Sequence, residues 1–278
     1  MNRKNMRFKL TLKVLPEVAG NILPLNYQYE LSAAIYKVLA KSDQEYAFWL
    51  HENGYRADGE KKFKLFSFSR LMIPQWQIPR GTDRLRIQSE EVEWFLSFLP
   101  DKSTEKFVQG IFANQRIAIG DKKSCVQFIV KGVEGVPAPA IQEEMMFEAI
   151  SPMTLRCWHA DTCKSEYISP ADPRAPKAIL TGLLSRYKAI NGVEFHGDVD
   201  YQYEVLDKPK SALIKIKADT PYQTFVRGYM CRFKIRVPQP LMRILYESGA
   251  GELCSQGFGF VREIKPPTEN DWGLVRLK

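Results

Sequence analysis

Gly249-Ala250-Gly251-Glu252-Leu253-Cys254-Ser255-Gln256-Gly257-Phe258-Gly259-Phe260 is the stretch around which the rest of the chain is organised. Four glycines fall within eleven residues, and an apolar, strand-like run from Phe258 to Ile264 follows at once. Glycine reaches backbone angles that other residues avoid and lets a second backbone come close. A glycine loop leading into a strand can therefore aim its N–H groups at an anion, as phosphate-binding nests do. A bulge and tight turn ahead of a final strand would use the same glycines. Neither common nucleotide fingerprint fits: the Gly-Lys-Ser/Thr ending of a P-loop is missing, and the glycines precede a strand instead of opening a helix.

Working outward from the loop, the preceding segments give an order of elements. Met6 to Leu15 alternates charged and apolar residues, as a half-buried strand does. Leu31, Ala34, Ile35, Val38 and Leu39 form a helical stripe within Tyr27 to Ala40, with Tyr36 off the stripe. A second helical piece, Asp43 to Glu52, ends at Asn53-Gly54 and places His51 at a helix end. Lys61 to Met72 and Arg84 to Gln88 read as strands, Ser89 to Leu99 as a capped helix stopped by Pro100, and Phe107 to Ile119 as a strand. Beyond a basic turn come strands at Val126–Val133 and Met145–Leu155, and a helix with the stripe Leu180, Leu183, Leu184 and Tyr187. Strands at Tyr201–Leu206, Leu213–Lys217 and Thr224–Val237, a short helix from Pro240 and the last strand complete the chain. Each half reads β-α-β-β-α-β, so the expected class is α+β with two tandem ferredoxin-like (RRM-like) βαββαβ domains, 1–122 and 123–278.

Bulk properties narrow the function. The chain has 278 residues, with 40 Lys and Arg against 32 Asp and Glu, a formal charge of +8 that suits a polyanionic partner. No apolar run approaches the roughly 20 residues of a membrane span, and Met1–Leu10 lacks a signal-peptide core. Five scattered cysteines suit reduced thiols and a cytoplasmic setting. Cys157, His159 and Cys163 invite a zinc reading, but their spacing is irregular and no fourth ligand lies near, so no metal and no cofactor are expected.

The glycine loop ending in Gly257-Phe258-Gly259, together with Leu50-His51-Glu52-Asn53-Gly54-Tyr55 near the start of a basic chain, resembles one family. It is the CRISPR-associated endoribonucleases that cut the repeats of precursor CRISPR RNA. The resemblance runs from the Phe8–Val14 strand through Lys64–Ser69 and Ile150-Ser151-Pro152 to the loop. It implies the doubled ferredoxin-like fold, precursor CRISPR RNA as partner, and metal-independent cleavage through the RNA's own 2′-hydroxyl. CRISPR effector-complex proteins and a second copy of the chain are the further partners it admits, and no membrane is implied.

An imidazole ordinarily titrating near 6.5 can take and give a proton at neutral pH, as RNA cleavage requires. By residue type alone His51 reads as a surface histidine at a helix end; the resemblance reverses this, and His51 looks like the family's catalytic histidine. Tyr36 occupies the place of the family's tyrosine, or packs against the second half. Where the family often carries a lysine, Arg56-Ala57-Asp58 stands instead, so the phosphate charge falls to Lys61, Lys62, Lys64 or Arg56, or is absent. A non-catalytic repeat-binding protein of the same fold is the alternative. For RNA contact the candidates are Gly249, Gly251, Ser255, Gln256, Gly257, Phe258 and Gly259 in the loop. Arg232, Lys234 and Arg236 add to these by sharing one face of a strand, which also reads as an ordinary solvated face.

Overall fold

The computed structural model describes residues 7–57, 61–159 and 164–265. The N-terminal half contains β1 (Arg7–Val14), α1 (Gln28–Ser42), α2 (Gln44–Glu52), β2 (Phe66–Phe68), β3 (Glu91–Phe98), α3 (Asp101–Ala113), β4 (Arg116–Gly120) and β5 (Cys125–Gly135). Its antiparallel sheet runs β2-β3-β1-β5-β4. The first four strands of that order, with α1 after β1 and α3 after β3, form a ferredoxin-like unit, and β4 adds an edge.

The C-terminal half contains β6 (Glu144–Ala149), β7 (Leu155–His159), β8 (Lys164–Ile168), α4 (Ala175–Asn191), β9 (Gln202–Val205), β10 (Lys210–Ile216), β11 (Thr224–Met230), β12 (Arg232–Arg236), α5 (Gln239–Ser248) and β13 (Val261–Ile264). Its sheet runs β9-β12-β6-β13, the same topology again. The hairpins β7–β8 and β10–β11 are insertions into it. The chain is thus two tandem ferredoxin-like domains, each with its own apolar core.

Several element boundaries differ from the sequence expectation. Residues 89–99 do not form a helix: β3 buries Val92, Trp94, Leu96 and Phe98, a period of two. A 3.6-residue reading of the same segment also finds apolar residues, but the bulky aromatics suit a strand wedged between β1 and β2. Pro100 does not stop a helix; it stands immediately before α3, whose inner face is Ser103, Thr104, Phe107, Gly110 and Ile111. The expected strand Phe107–Ile119 is therefore the end of α3 followed by β4. Residue 110 must be glycine for this packing, because a Cβ there would lie 2.1 Å from the Val38 carbonyl oxygen on α1. The expected strand from Lys61 to Met72 is broken at Leu65, which sits at φ +55. The seam expected at 122/123 falls inside the β4–β5 hairpin; β5 pairs with β1, so the first sheet extends to Gly135.

The two domains are tied by Arg7. Only 5% exposed, it donates to the carbonyls of Val261 at 2.7 Å and of Tyr246. Its guanidinium lies 3.8 Å from the Tyr246 ring centroid and 4.3 Å from that of Phe260. A buried cation costs several kcal/mol in lost hydration, which carbonyl bonds and two aromatic faces offset. The arginine at the start of β1 thereby holds the end of α5 and the start of β13.

Candidate active site

The site is assembled by one face of α1. Gln28, Ser32 and Tyr36 are spaced i, i+4, i+8 and so stack along the helix. Gln28 packs beneath Gly257, Ser32 donates to the Ser255 carbonyl at 2.7 Å, and Tyr36 meets His51. Sequence reading placed Tyr36 correctly off the apolar stripe but missed that Gln28 and Ser32 share its face. The i, i+4, i+8 spacing of Gln28, Ser32 and Tyr36 beside the apolar stripe was the signal available.

The Tyr36 and His51 rings stand edge to face, with centroids 5.0 Å apart and planes at 84°. Tyr36 also makes an edge contact with Phe66, at 5.8 Å. Burial pushes the Tyr36 hydroxyl well above its ordinary value, so it keeps its proton at neutral pH. His51 is 63% exposed at the end of α2, and its Nδ1 lies 2.7 Å from Oε1 of Glu52. With Nδ1–H donated to that carboxylate, the Nε2 lone pair is free to accept a proton. The His51 hydrogen bond, aided by Lys62 and Lys64, holds the Glu52 carboxyl below its usual range. Glu52 was not among the expected site residues, because adjacent helical side chains normally diverge.

Of the three expected lysines, Lys62 and Lys64 stand at the end of α2 and cap it. Lys62 donates to the Glu52 carbonyl at 2.8 Å, and Lys64 to those of Leu50 and His51. The last carbonyls of a helix lack internal partners and carry the negative end of its dipole. Lys61 lies with its Nζ 5.4 Å from the Phe63 ring centroid. Arg56 bonds the Asn53 side chain at 3.2 Å, whereas Asp58 and Gly59 lie outside the described residues. Cys163 of the zinc reading is likewise outside them, and Cys157 is a half-buried residue of β7.

A cavity of about 240 Å³ separates Lys61–Phe66 from Gly251–Gln256, with Arg156 and Arg186 also on its wall. The glycine loop divides sharply across it. Gly251, Ser255 and Gln256 line the cavity, while Gly249, Gly257, Phe258 and Gly259 are buried. Phe258 was expected to contact RNA. It cannot, being 0% exposed and packed with Ile214, Ile216 and Val226. Arg232, Lys234 and Arg236 do share a face, but cross-strand glutamates occupy it. Lys234 and Arg236 each lie 2.7 Å from Glu144, and Arg232 lies 3.8 Å from Glu148. None of the three lines the cavity.

Residues 22–134 match the family description "CRISPR-associated protein Cas6, N-terminal", and residues 136–263 match "CRISPR associated protein Cas6, C-terminal". The chain belongs to the Cas6 family. Among curated Cas6 proteins, "CRISPR-associated endoribonuclease Cas6 1" of Methanocaldococcus jannaschii is 26% identical over 272 residues, covering 97% of each chain. "CRISPR-associated endoribonuclease Cas6" of Pyrococcus furiosus is 26% identical over 261 residues, covering 92% of this chain and 89% of its own. The solved structure "Characterization of a Cas6-related gene from Pyrococcus furiosus" superposes with a TM-score of 0.78 at 23% identity, covering 95% of this chain and all of that one. The two Cas6 descriptions meet near residue 135, where the first sheet ends.

Within this Cas6 fold, Gly259 is structural. At φ +66, a Cβ on it would lie 2.0 Å from the Ala250 carbonyl oxygen, whose own amide bonds the Gly259 carbonyl at 2.8 Å. Of the two uses the sequence left open for these glycines, an anion nest or a bulge and tight turn, Gly259 serves the second. Gly259→Val is expected to cost about 3 kcal/mol or more, lowering Tm by on the order of 10 °C. Gln256→Ala, on the cavity wall, should leave Tm unchanged and weaken RNA binding. Thermal melts and RNA titrations of both variants check the division. Equal Tm values for Gly259→Val and wild type would show that the loop can relax.

Lys64 gives a pH prediction. Burial, and next the Lys62 ammonium, bring the Lys64 ammonium down to about 8, with Glu52 acting in the opposite direction. Between about 8 and the ordinary 10.5, the unfolded chain binds more protons at this position than the folded one. Stability from this group therefore rises with pH across that window. Arginine stays charged throughout. Wild-type Tm should accordingly gain on that of Lys64→Arg from pH 8 to 10.5; a constant difference would mean that Lys64 keeps its proton.

Proposed function

We propose that the chain is a metal-independent endoribonuclease that cuts CRISPR repeat RNA into guide RNAs. The observation that carries this reading is His51, its Nδ1 held by Glu52, standing edge-on to Tyr36 beside a cavity walled by lysines and the glycine loop. The relatives from Methanocaldococcus jannaschii and Pyrococcus furiosus, named CRISPR-associated endoribonucleases, support the same reaction class.

In this reading, His51 Nε2 takes the proton of a ribose 2′-hydroxyl, and the freed oxygen attacks the adjacent phosphorus. The P–O5′ bond breaks, leaving a 2′,3′-cyclic phosphate on one fragment. The departing oxygen takes a proton from water to become the 5′-hydroxyl of the other, and the His51 imidazolium returns its proton to water. Tyr36 donates a hydrogen bond at the phosphate, and a cation among Lys61, Lys62 and Lys64 stabilises the extra negative charge.

That Lys62 and Lys64 are engaged by helix-end carbonyls favours one second reading, a protein that holds the repeat without cutting it. Incubating end-labelled repeat RNA with the protein in EDTA decides between them. Cut RNA supports the nuclease, RNA shifted but intact supports the binder, and RNA ignored by the protein sinks both.

A further inference from the structure

Resting on that reading, we propose that the cavity between the glycine loop and residues 61–66 is a phosphate-binding subsite for the RNA backbone, with buried Arg186 supplying its cation. Arg186 projects from α4 and is only 4% exposed. Nε donates to the Gly182 carbonyl at 3.1 Å, and Nη1 to Ser248 Oγ at 2.9 Å and the Gly249 carbonyl at 2.5 Å. Nη2 is buried and makes no hydrogen bond, the weakly accepting Cys254 thiol being the guanidinium's neighbour there, although the residue lies on the cavity wall. A buried N–H without an acceptor is costly and uncommon in a folded protein. An anion in the cavity would satisfy it.

The rest of the wall suits the same ligand. Glu252 is its one carboxylate, and Arg156 already bonds it at 2.6 Å, whereas Lys61, Lys62, Lys64 and Arg186 add positive charge. Among the described residues, no backbone carbonyl accepts from the amides of Gly251, Leu253, Cys254 or Ser255. Leu253 is left-handed at φ +56 and leads directly into the 3₁₀ turn Cys254–Gln256. A left-handed residue followed by right-handed ones curls successive N–H groups around an anion, and a planar guanidinium complements the phosphate geometry. Phe66, which lines the cavity, also touches Tyr36, so a phosphate seated there would lie beside the His51–Tyr36 pair.

Two variants separate this role from bracing of the loop. Arg186→Gln removes the charge but retains a donor. Gly182→Leu leaves Arg186 in place; the Gly182 Cβ position is 4.0 Å from Nη2, so a larger side chain there covers it from the cavity. Leucine also favours a helix more than glycine does, so this second variant should fold at least as well as wild type. Two readouts are taken: the salt dependence of repeat-RNA affinity, and the rise in Tm that inorganic phosphate produces over chloride at equal ionic strength. Both variants should bind RNA roughly 10- to 100-fold more weakly at low salt, the loss of a hydrogen bond to a charged group. The log–log salt slope should become shallower by about 0.7, the loss of one neutralised phosphate on a single strand. Phosphate should stabilise wild type and neither variant. An unchanged slope and equal phosphate responses overturn the proposal, leaving Arg186 a brace for the loop, as does a wild type indifferent to phosphate. If phosphate stabilises wild type through Arg186 while repeat RNA is neither bound nor cut, the subsite stands and the RNA reading falls. RNA cut normally by both variants gives the reverse.

Discussion

His51→Ala is expected to slow single-turnover cleavage of repeat RNA by about 10²- to 10⁴-fold, with affinity for the RNA held within a few-fold. That range is what one positioned acid–base group contributes, on the order of 3–5 kcal/mol of barrier. His51 is largely exposed and makes one side-chain hydrogen bond, to Glu52, so its removal should not disturb the fold. Glu52→Gln tests the same site differently. The amide can still accept from Nδ1 but carries no charge to stabilise an imidazolium, so the rate should fall by less than for His51→Ala. A His51→Ala protein that cuts at the wild-type rate would remove the histidine from the mechanism altogether.

A repeat RNA with one 2′-deoxy nucleotide immediately upstream of the scissile phosphate should bind normally and stay intact. In the proposed reaction that 2′-oxygen is the nucleophile, so its removal eliminates the reaction instead of slowing it. The unmodified RNA should be cut in EDTA, and its upstream fragment should resist end-labelling chemistry that needs a free 3′-hydroxyl until the cyclic phosphate is opened and removed. Cleavage of the deoxy substrate, or a need for Mg²⁺, would mean that water attacks, and the roles given to His51 and Tyr36 would fail with it.

The fold was legible at the level of element order, and less so at the level of elements. Segment 91–98 carries apolar residues that satisfy both periods, and only its place between β1 and β2 decides for a strand. The run from Phe107 to Ile119 holds a change from helix to strand at Asn114, marked in the sequence only by the polar triplet Asn114-Gln115-Arg116. Yet two errors of type left the β-α-β-β-α-β count intact, so the class survived them. In the site, the placement of His51 at a helix end and of Tyr36 off the apolar stripe was readable because both are local features. The contributions of Arg186, Ser32 and Glu252 were not, because each acts on a partner far away in sequence. The Ser32 bond, for example, spans 223 residues. The strand face of Arg232, Lys234 and Arg236 shows the converse limit: parity located the residues on one face, but their neutralising glutamates stand on another strand.

Arg7 bears on how the chain is made. Its acceptor at Val261 lies 254 residues downstream, so a ribosome working at 5–20 residues per second needs roughly 13 to 50 s to supply it. Throughout that interval the first domain can form its sheet while its edge arginine stays in water, since burying it would leave the guanidinium without carbonyls or aromatic faces. The seam thus closes only after Val261 has been made. A polypeptide cut short before Tyr246 would keep an open, partly apolar margin that proteases and chaperones can read. The two domains expressed as separate polypeptides should, by the same logic, find each other and close that margin in trans.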